Sequence, residues 1–90
     1  MMTRSEILAA AEEATGGHRA TDYGTPENNF GRIARLWSDY LGHDITAVDV
    51  AMLMTLLKVA RVRSNHGGVD SYIDIAGYAA CAGEIATAQG

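Results

Sequence analysis

The stretch of residues 46–62 reads TAVDVAMLMTLLKVARV, and it decides the fold class of the chain. Thr46 and Asp49 have the spacing of a capping box, in which a hydroxyl and a carboxylate bind the free amides at the start of a helix. The residues that follow are apolar at nearly every position, so the helix leaves no side for solvent. The pattern therefore predicts a central helix over residues 47–64 that is covered all round.

Three further helices are indicated on the two sides of this stretch. Thr3 and Glu6 form another capping box, and Thr25 with Pro26 suits the N-cap and the first position of a helix. The last helix is rich in small residues, which let helices approach closely. The predicted helices cover about residues 4–15, 26–41, 47–64 and 70–87. We therefore predict an all-α fold, a four-helix bundle that forms one domain over residues 1–90.

The composition narrows the classes of function. The chain has 90 residues, a hydrophobic fraction of 48% and a formal net charge of −4. Because it carries no general basic field, non-specific nucleic-acid binding through phosphates is disfavoured. So short a chain buries a modest core, and we expect a homo-oligomer whose subunits cover the remaining apolar surface. No apolar run is long enough to span a membrane and no signal-peptide pattern is present, so we expect a cytoplasmic protein without a membrane partner.

Two basic side chains interrupt the apolar helix, and they are the first candidates for a functional site. Lys58 and Arg61 lie about one turn apart, and each must reach an anion or solvent because a buried unpaired charge is costly. Asp70 and Asp74 lie one turn apart on the last helix, and Asn65 lies in the short turn between the two helices. Helices joined by so short a turn are expected to be antiparallel neighbours, which would bring these five residues close together. A phosphate site here requires both basic residues and both aspartates to converge on one accessible cavity.

Two interpretations of this cluster remain open. In the first, Lys58 or Arg61 pairs with Asp74 as an internal clamp, and Asp70 caps the last helix. In the second, the two aspartates hold a hard cation such as Mg²⁺, which prefers oxygen ligands, and the two basic side chains bind phosphate oxygens. Aspartates spaced by four residues are common in helices, so the spacing alone does not distinguish the interpretations.

A second candidate group lies at the start of the helix over residues 26–41. Gly24 permits a sharp turn, and Tyr23 can stack on a base or close the end of the bundle. Asn29 falls on the side that is expected to face the core, where its amide needs a hydrogen-bond partner from a neighbouring helix or from a ligand. Structural packing and ligand contact both account for Tyr23 and Asn29.

Five blocks of the sequence are distinctive when they are taken together. They are Asp22-Tyr23-Gly24, Glu27-Asn28-Asn29-Phe30, Ile33-Ala34-Arg35-Leu36-Trp37, Leu57-Lys58-Val59-Ala60-Arg61, and Asp70-Ser71 with Asp74-Ile75-Ala76-Gly77-Tyr78. On these blocks, nearly the whole chain resembles a family of short phage and prophage proteins that has no established activity. The resemblance implies a phage or prophage origin.

A more distant resemblance suggests a chemistry. The Tyr-Gly pair followed by Asn and Phe, with a carboxylate-bearing later helix, is similar to the MazG-like all-α nucleotide pyrophosphohydrolases. Those proteins are helical oligomers that use clusters of Glu and Asp with Mg²⁺ to cleave nucleoside triphosphates to monophosphates. The resemblance implies that Asp70 and Asp74 are catalytic and that, together with Glu27, they bind Mg²⁺. The chain departs from that family because it lacks the Glu-x-x-Glu pair, so its status as an enzyme stays open.

The same resemblance implies the residues that bind the ligand. Tyr23 and Asn29 would contact a nucleotide, and Lys58 and Arg61 would bind its phosphates, with Asn65 beside them as a further candidate. The leading prediction is therefore a nucleotide-binding protein, with Mg²⁺-dependent pyrophosphohydrolase activity as its catalytic version. The alternative prediction is a non-catalytic phage accessory protein that sequesters a nucleotide signal or binds a host protein as an oligomer.

Overall fold

Four helices make up the part of the chain that the structure describes. The structure is a computed structural model, and it describes residues 1–16 and 25–88. The helices are α1 (Arg4–Thr15), α2 (Pro26–Leu41), α3 (Ala47–Ser64) and α4 (Val69–Thr87). No strand occurs within these described residues. The prediction of an all-α, single-domain fold is confirmed, and the four predicted helices are present among the described residues.

Threonine caps begin three of the four helices. The hydroxyls of Thr3, Thr25 and Thr46 each accept a hydrogen bond from a backbone amide in the first turn, at 3.1–3.2 Å. The backbone N–H of Thr3 also donates to the carboxylate of Glu6 at 3.0 Å, and this bond lowers the pKa of the Glu6 carboxyl below its ordinary value. These bonds satisfy amides that no helical carbonyl reaches, which is why the helices begin at these points.

The core lies where the first half of α3 meets α2 and α4. Val50 and Ala51 are both 0% exposed. The buried residues that pack with them are Phe30, Ala34, Cys81, Ala82 and Ile85. α3 makes its most extensive contact with α4, which also packs against α1, while α2 packs mainly on α3. The order across the molecule is therefore α1, α4, α3 and α2.

Small residues on α4 allow a neighbouring helix to pack closely against it, as the sequence predicted. Gly77 is buried, and a Cβ atom added there would lie only 3.1 Å from Cγ2 of Thr15 on α1. That distance is shorter than ordinary van der Waals contact, so a larger side chain would push α1 away from α4.

Within one copy of the chain, the described helices do not cover α3 all round, and its covering by another subunit stays a prediction. Its outward side chains Met52, Leu53, Leu56, Leu57 and Val59 are 42–60% exposed. The reason is geometric, because α2 and α4 are the helices that pack extensively against α3 and they occupy only one side of it. Among the described residues of one copy, none supplies a layer for the opposite side.

We predict that Val50→Ala destabilises the chain far more than Val59→Ala, although both positions lie on α3. The first substitution removes two methyl groups from a fully buried site and should lower the free energy of unfolding by roughly 2 kcal/mol. The second removes the same atoms from a side chain that is 42% exposed, and we expect a change within about 0.5 kcal/mol. Urea denaturation measures both values, and equal losses would contradict the placement of the core.

Candidate functional site

An open cleft lies at the turn between α3 and α4. Its volume is about 500 Å³, which is within the range of small-molecule sites. The residues that line it are Leu57, Ala60, Arg61, Ser64, Asn65, Gly68 and Ser71. Most of its polar side chains can donate hydrogen bonds, and Leu57 and Ala60 supply an apolar wall.

The conformation of the turn is fixed by Asn65, which caps the C-terminus of α3. The Asn65 backbone N–H donates to the carbonyl of Arg61 at 2.9 Å, and the Asn65 side chain accepts from the N–H of Gly67 at 3.2 Å. The N–H of Gly68 donates to the Asn65 carbonyl at 3.1 Å, and a Cβ atom on Gly68 would lie 3.1 Å from the Asn65 side chain. The turn is therefore tight, and it holds Asn65 between the two helices.

Arg61 is the charged side chain of this cleft. It is exposed, and it makes no ion pair or hydrogen bond with any residue in 1–16 or 25–88. A guanidinium group presents several N–H donors in a planar fork that matches the oxygens of a carboxylate or a phosphate. The cleft therefore has a cationic donor that is available to an anion.

The N-terminus of α4 faces the same turn. Unlike the other three helices, α4 has no side-chain cap, because its N-cap residue is Gly68. The first amides of a helix lack helical partners and carry a partial positive charge. Asp70 lies in this first turn and is exposed, so its carboxylate complements that charge.

Lys58 and Asp74 form an ion pair between α3 and α4. The distance from Nζ of Lys58 to Oδ2 of Asp74 is 3.0 Å, and the two side chains are 18% and 37% exposed. This is the contact that the internal-clamp interpretation predicted, whereas its expectation that Asp70 caps the last helix is wrong, because the N-cap residue is Gly68. It joins the two helices that pack most extensively, and it neutralises a lysine whose side chain is largely buried.

The structure separates the residues that we expected to converge on one cavity. Arg61 and Asn65 line the α3–α4 cleft, whereas Asp74 lines a second, smaller cavity of about 180 Å³. That cavity lies among α1, α2 and α4, and its lining residues are Ala14, Thr15, Phe30, Ile73, Asp74, Gly77, Tyr78 and Cys81. The expectation that both basic residues and both aspartates share one cavity is therefore wrong.

The predicted magnesium ligands do not form a cluster of three. Across residues 1–16 and 25–88, no three His, Cys, Asp or Glu side chains converge on a point that could hold a metal ion. Glu27 is exposed at the start of α2, and one oxygen of Asp74 is bound to Lys58. The set of Glu27, Asp70 and Asp74 thus does not fit a magnesium site in this part of the chain, and magnesium binding stays a prediction.

The second candidate group is only partly described. Tyr23 lies outside the described residues. Asn29 is half-buried near the start of α2, and its side chain makes no hydrogen bond with the rest of the described chain. Ligand contact by these two residues stays a prediction.

Sequence reasoning missed Ser64, Gly68 and Ser71 as residues of the cleft. Serine and glycine beside a helix end are usual in turns, so their type gave no signal. Only their position near Asn65 and Arg61 in the sequence could have indicated that they line the cleft.

None of the described helices is long and apolar enough to cross a membrane. The cytoplasmic location stays a prediction. The homo-oligomer also stays a prediction, since the structure contains one copy of the chain.

Comparison with known proteins identifies the family. Residues 6–86 match the family described as "Domain of unknown function (DUF6378)", and the chain belongs to that family. It is 46% identical over 79 residues to the Gene 55 protein of Mycobacterium phage D29, covering 88% of this chain and 52% of that protein. It is 50% identical over 74 residues to the Gene 55 protein of Mycobacterium phage L5, covering 81% of this chain and 47% of that protein.

These matches confirm the resemblance to a family of phage proteins, and the chain spans about half the length of the two curated relatives. No solved structure matches the chain. The similarity to MazG-like proteins has no support among these matches and stays a hypothesis.

We predict that the pair of Lys58 and Asp74 stabilises the contact between α3 and α4. Lys58→Met leaves a half-buried carboxylate without its partner and should lower the free energy of unfolding by roughly 1–2 kcal/mol. A double-mutant cycle with Asp74→Asn should give a coupling energy of about 1 kcal/mol. Arg61→Met is the matched control, since Arg61 has no ion pair in the described chain, and it should change stability by less than about 0.5 kcal/mol. Additive effects of Lys58→Met and Asp74→Asn would show that the pair contributes nothing.

Proposed function

We propose that this DUF6378 member is a non-catalytic phage accessory protein that binds a phosphate-bearing small molecule, a nucleotide, in the α3–α4 cleft. The observation that carries the proposal is the exposed Arg61 guanidinium, which has no partner in the described chain and lies on the wall of a cleft of about 500 Å³. The relatives in two mycobacteriophages support the phage setting.

The polar side of the cleft favours an anionic oxygen ligand. Arg61 offers charge-assisted hydrogen bonds, which are about twice as strong as neutral ones. The hydroxyls of Ser64 and Ser71 and the side-chain amide of Asn65 can donate further bonds. The uncapped start of α4 adds backbone amides, and helix N-termini are common binding points for phosphate.

The apolar side of the cleft favours a ligand that carries more than a phosphate. Leu57 and Ala60 face the same space as Arg61. Small-molecule sites combine mostly apolar walls with a few convergent polar groups, and their volumes are about 300–1,000 Å³. A nucleotide has both parts, a phosphate for Arg61 and a base or sugar for the apolar wall. The resemblance to nucleotide-cleaving helical proteins is a further reason to test this class of ligand first.

Our proposal contains no hydrolytic step. Metal-dependent hydrolysis requires carboxylates that hold the metal beside the bound phosphate. Asp74 is bound to Lys58 and lines the other cavity, and Asp70 belongs to no group of three or more potential metal ligands in the described chain. Binding without turnover therefore agrees better with the geometry than the pyrophosphohydrolase prediction does.

We expect a thermal-shift screen of nucleoside mono-, di- and triphosphates and cyclic dinucleotides to identify a stabilising ligand without magnesium. A ligand at a hundred times its Kd should raise the free energy of unfolding by about 2.7 kcal/mol. Arg61→Met should weaken that ligand about tenfold or more, because it removes a charged donor. Arg35→Met removes the same charge from an exposed position on α2 and should leave the Kd unchanged. Equal effects of the two variants would contradict binding at the cleft.

Asp70→Asn distinguishes binding from catalysis when the thermal-shift screen is combined with an assay of pyrophosphate release. Asp70 competes for the positive end of α4, so its neutralisation should tighten the binding of a phosphate ligand. The catalytic version predicts instead that Asp70→Asn abolishes Mg²⁺-dependent release of pyrophosphate. Pyrophosphate release by the unsubstituted chain with Mg²⁺, lost in Asp70→Asn, would refute the non-catalytic proposal.

A further inference from the structure

The outward side of α3 carries a row of exposed residues that we name the α3 seam. Its members are Asp49, Leu53, Leu56, Ala60 and Arg63, and all five are exposed. Leu53 is 43% exposed and Leu56 is 60% exposed. Soluble monomers rarely leave large contiguous apolar patches open to water, so the seam needs a partner surface.

The spacing of the seam is that of a helix-pairing surface. Successive members are separated by four, three, four and three residues. That alternation is the heptad spacing of coiled coils, in which each side chain fits between side chains of a facing helix. Met52 and Leu57 flank the row and widen its apolar centre.

The charges of the seam make it complementary to itself in one orientation. Asp49 lies seven residues before Leu56, and Arg63 lies seven residues after it. If two copies of α3 run antiparallel about a two-fold axis at Leu56, Asp49 of each copy faces Arg63 of the other. A parallel arrangement would place like charges opposite each other, which is destabilising. The charge pattern therefore fits a second copy of this chain in the antiparallel orientation.

Both charged ends of the seam are available for such contacts. Oδ2 of Asp49 accepts a hydrogen bond from the Thr46 N–H at 2.9 Å, which leaves Oδ1 for another donor. Arg63 has neither an ion pair nor a hydrogen bond among the described residues.

A groove lies beside the first half of the seam. Its volume is about 320 Å³, and its lining residues are His43, Asp44, Ile45, Asp49, Met52, Leu53 and Leu56. The carboxylates of Asp44 and Asp49 make this end of the seam acidic, and Arg63 makes the opposite end basic. In the antiparallel arrangement, the basic end of each copy enters the acidic groove of the other.

We infer that two copies of this chain associate through their α3 seams, antiparallel and about a two-fold axis at Leu56. A two-fold dimer uses the same surface on both copies, so that surface must be complementary to itself, as the α3 seam is. The seam borders the α3–α4 cleft at Ala60, and the inference holds whether or not that cleft binds a nucleotide. A host protein is the other possible occupant of the seam, and the experiment below separates the two.

Sedimentation equilibrium of the chain alone provides the test. The chain has a mass of 9.6 kDa, and we expect a concentration-dependent species of twice that mass. Leu56→Glu keeps a good helix former but brings two carboxylates together at the axis, so it should yield the monomer. Leu8→Glu is the matched control, because Leu8 on α1 is 62% exposed against 60% for Leu56. It should leave the dimer intact, and circular dichroism should show all variants folded.

A charge exchange tests the orientation independently of Leu56. Arg63→Glu alone places a carboxylate against the other copy's Asp49 and should abolish association, and Asp49→Lys alone should do the same with two cations. An equimolar mixture of the two variants should restore the dimer, because every opposed pair then carries opposite charges. A monomer at every concentration, a dimer that survives Leu56→Glu, or a mixture that stays monomeric would overturn the inference.

Discussion

The structure depends on one geometric constraint, which is that an apolar helix needs apolar neighbours on every side. The described residues supply them to α3 on one side only. The first half of α3 uses that side fully, since Val50 and Ala51 are sealed by α2 and α4. The opposite side keeps its leucines in contact with water. Because water contact is costly for such side chains, the exposed half of α3 is the feature that most requires an explanation.

Local signals predicted the helices well, and tertiary placement was harder to predict. Thr3, Thr25 and Thr46 act within one turn of their own position, so the sequence alone indicates where each helix begins. The covering of α3 depends on how many helices reach it, and spacing along the chain does not contain that information. The α3–α4 turn was predictable because its residues are adjacent in the sequence. The separation of Arg61 from Asp74 into two cavities depends on how the helices pack, so it was not predictable.

The two proposed surfaces share one helix. Leu57 and Arg61 belong to the cleft, Leu56 and Arg63 belong to the seam, and Ala60 belongs to both. A second copy along the seam would therefore lie beside the apolar wall of the cleft. The pair of Lys58 and Asp74 joins α3 to α4, the two helices between which the cleft lies.

The central claim is that a second copy covers the outward side of α3, and disulfide formation by Leu56→Cys tests it most directly. A two-fold axis at Leu56 brings the two introduced thiols together, while Cys81 is buried in the core and stays out of the reaction. We expect rapid formation of a covalent dimer under mild oxidation, and slow formation for Leu8→Cys at a similarly exposed position on α1. Equal rates for the two variants would contradict it.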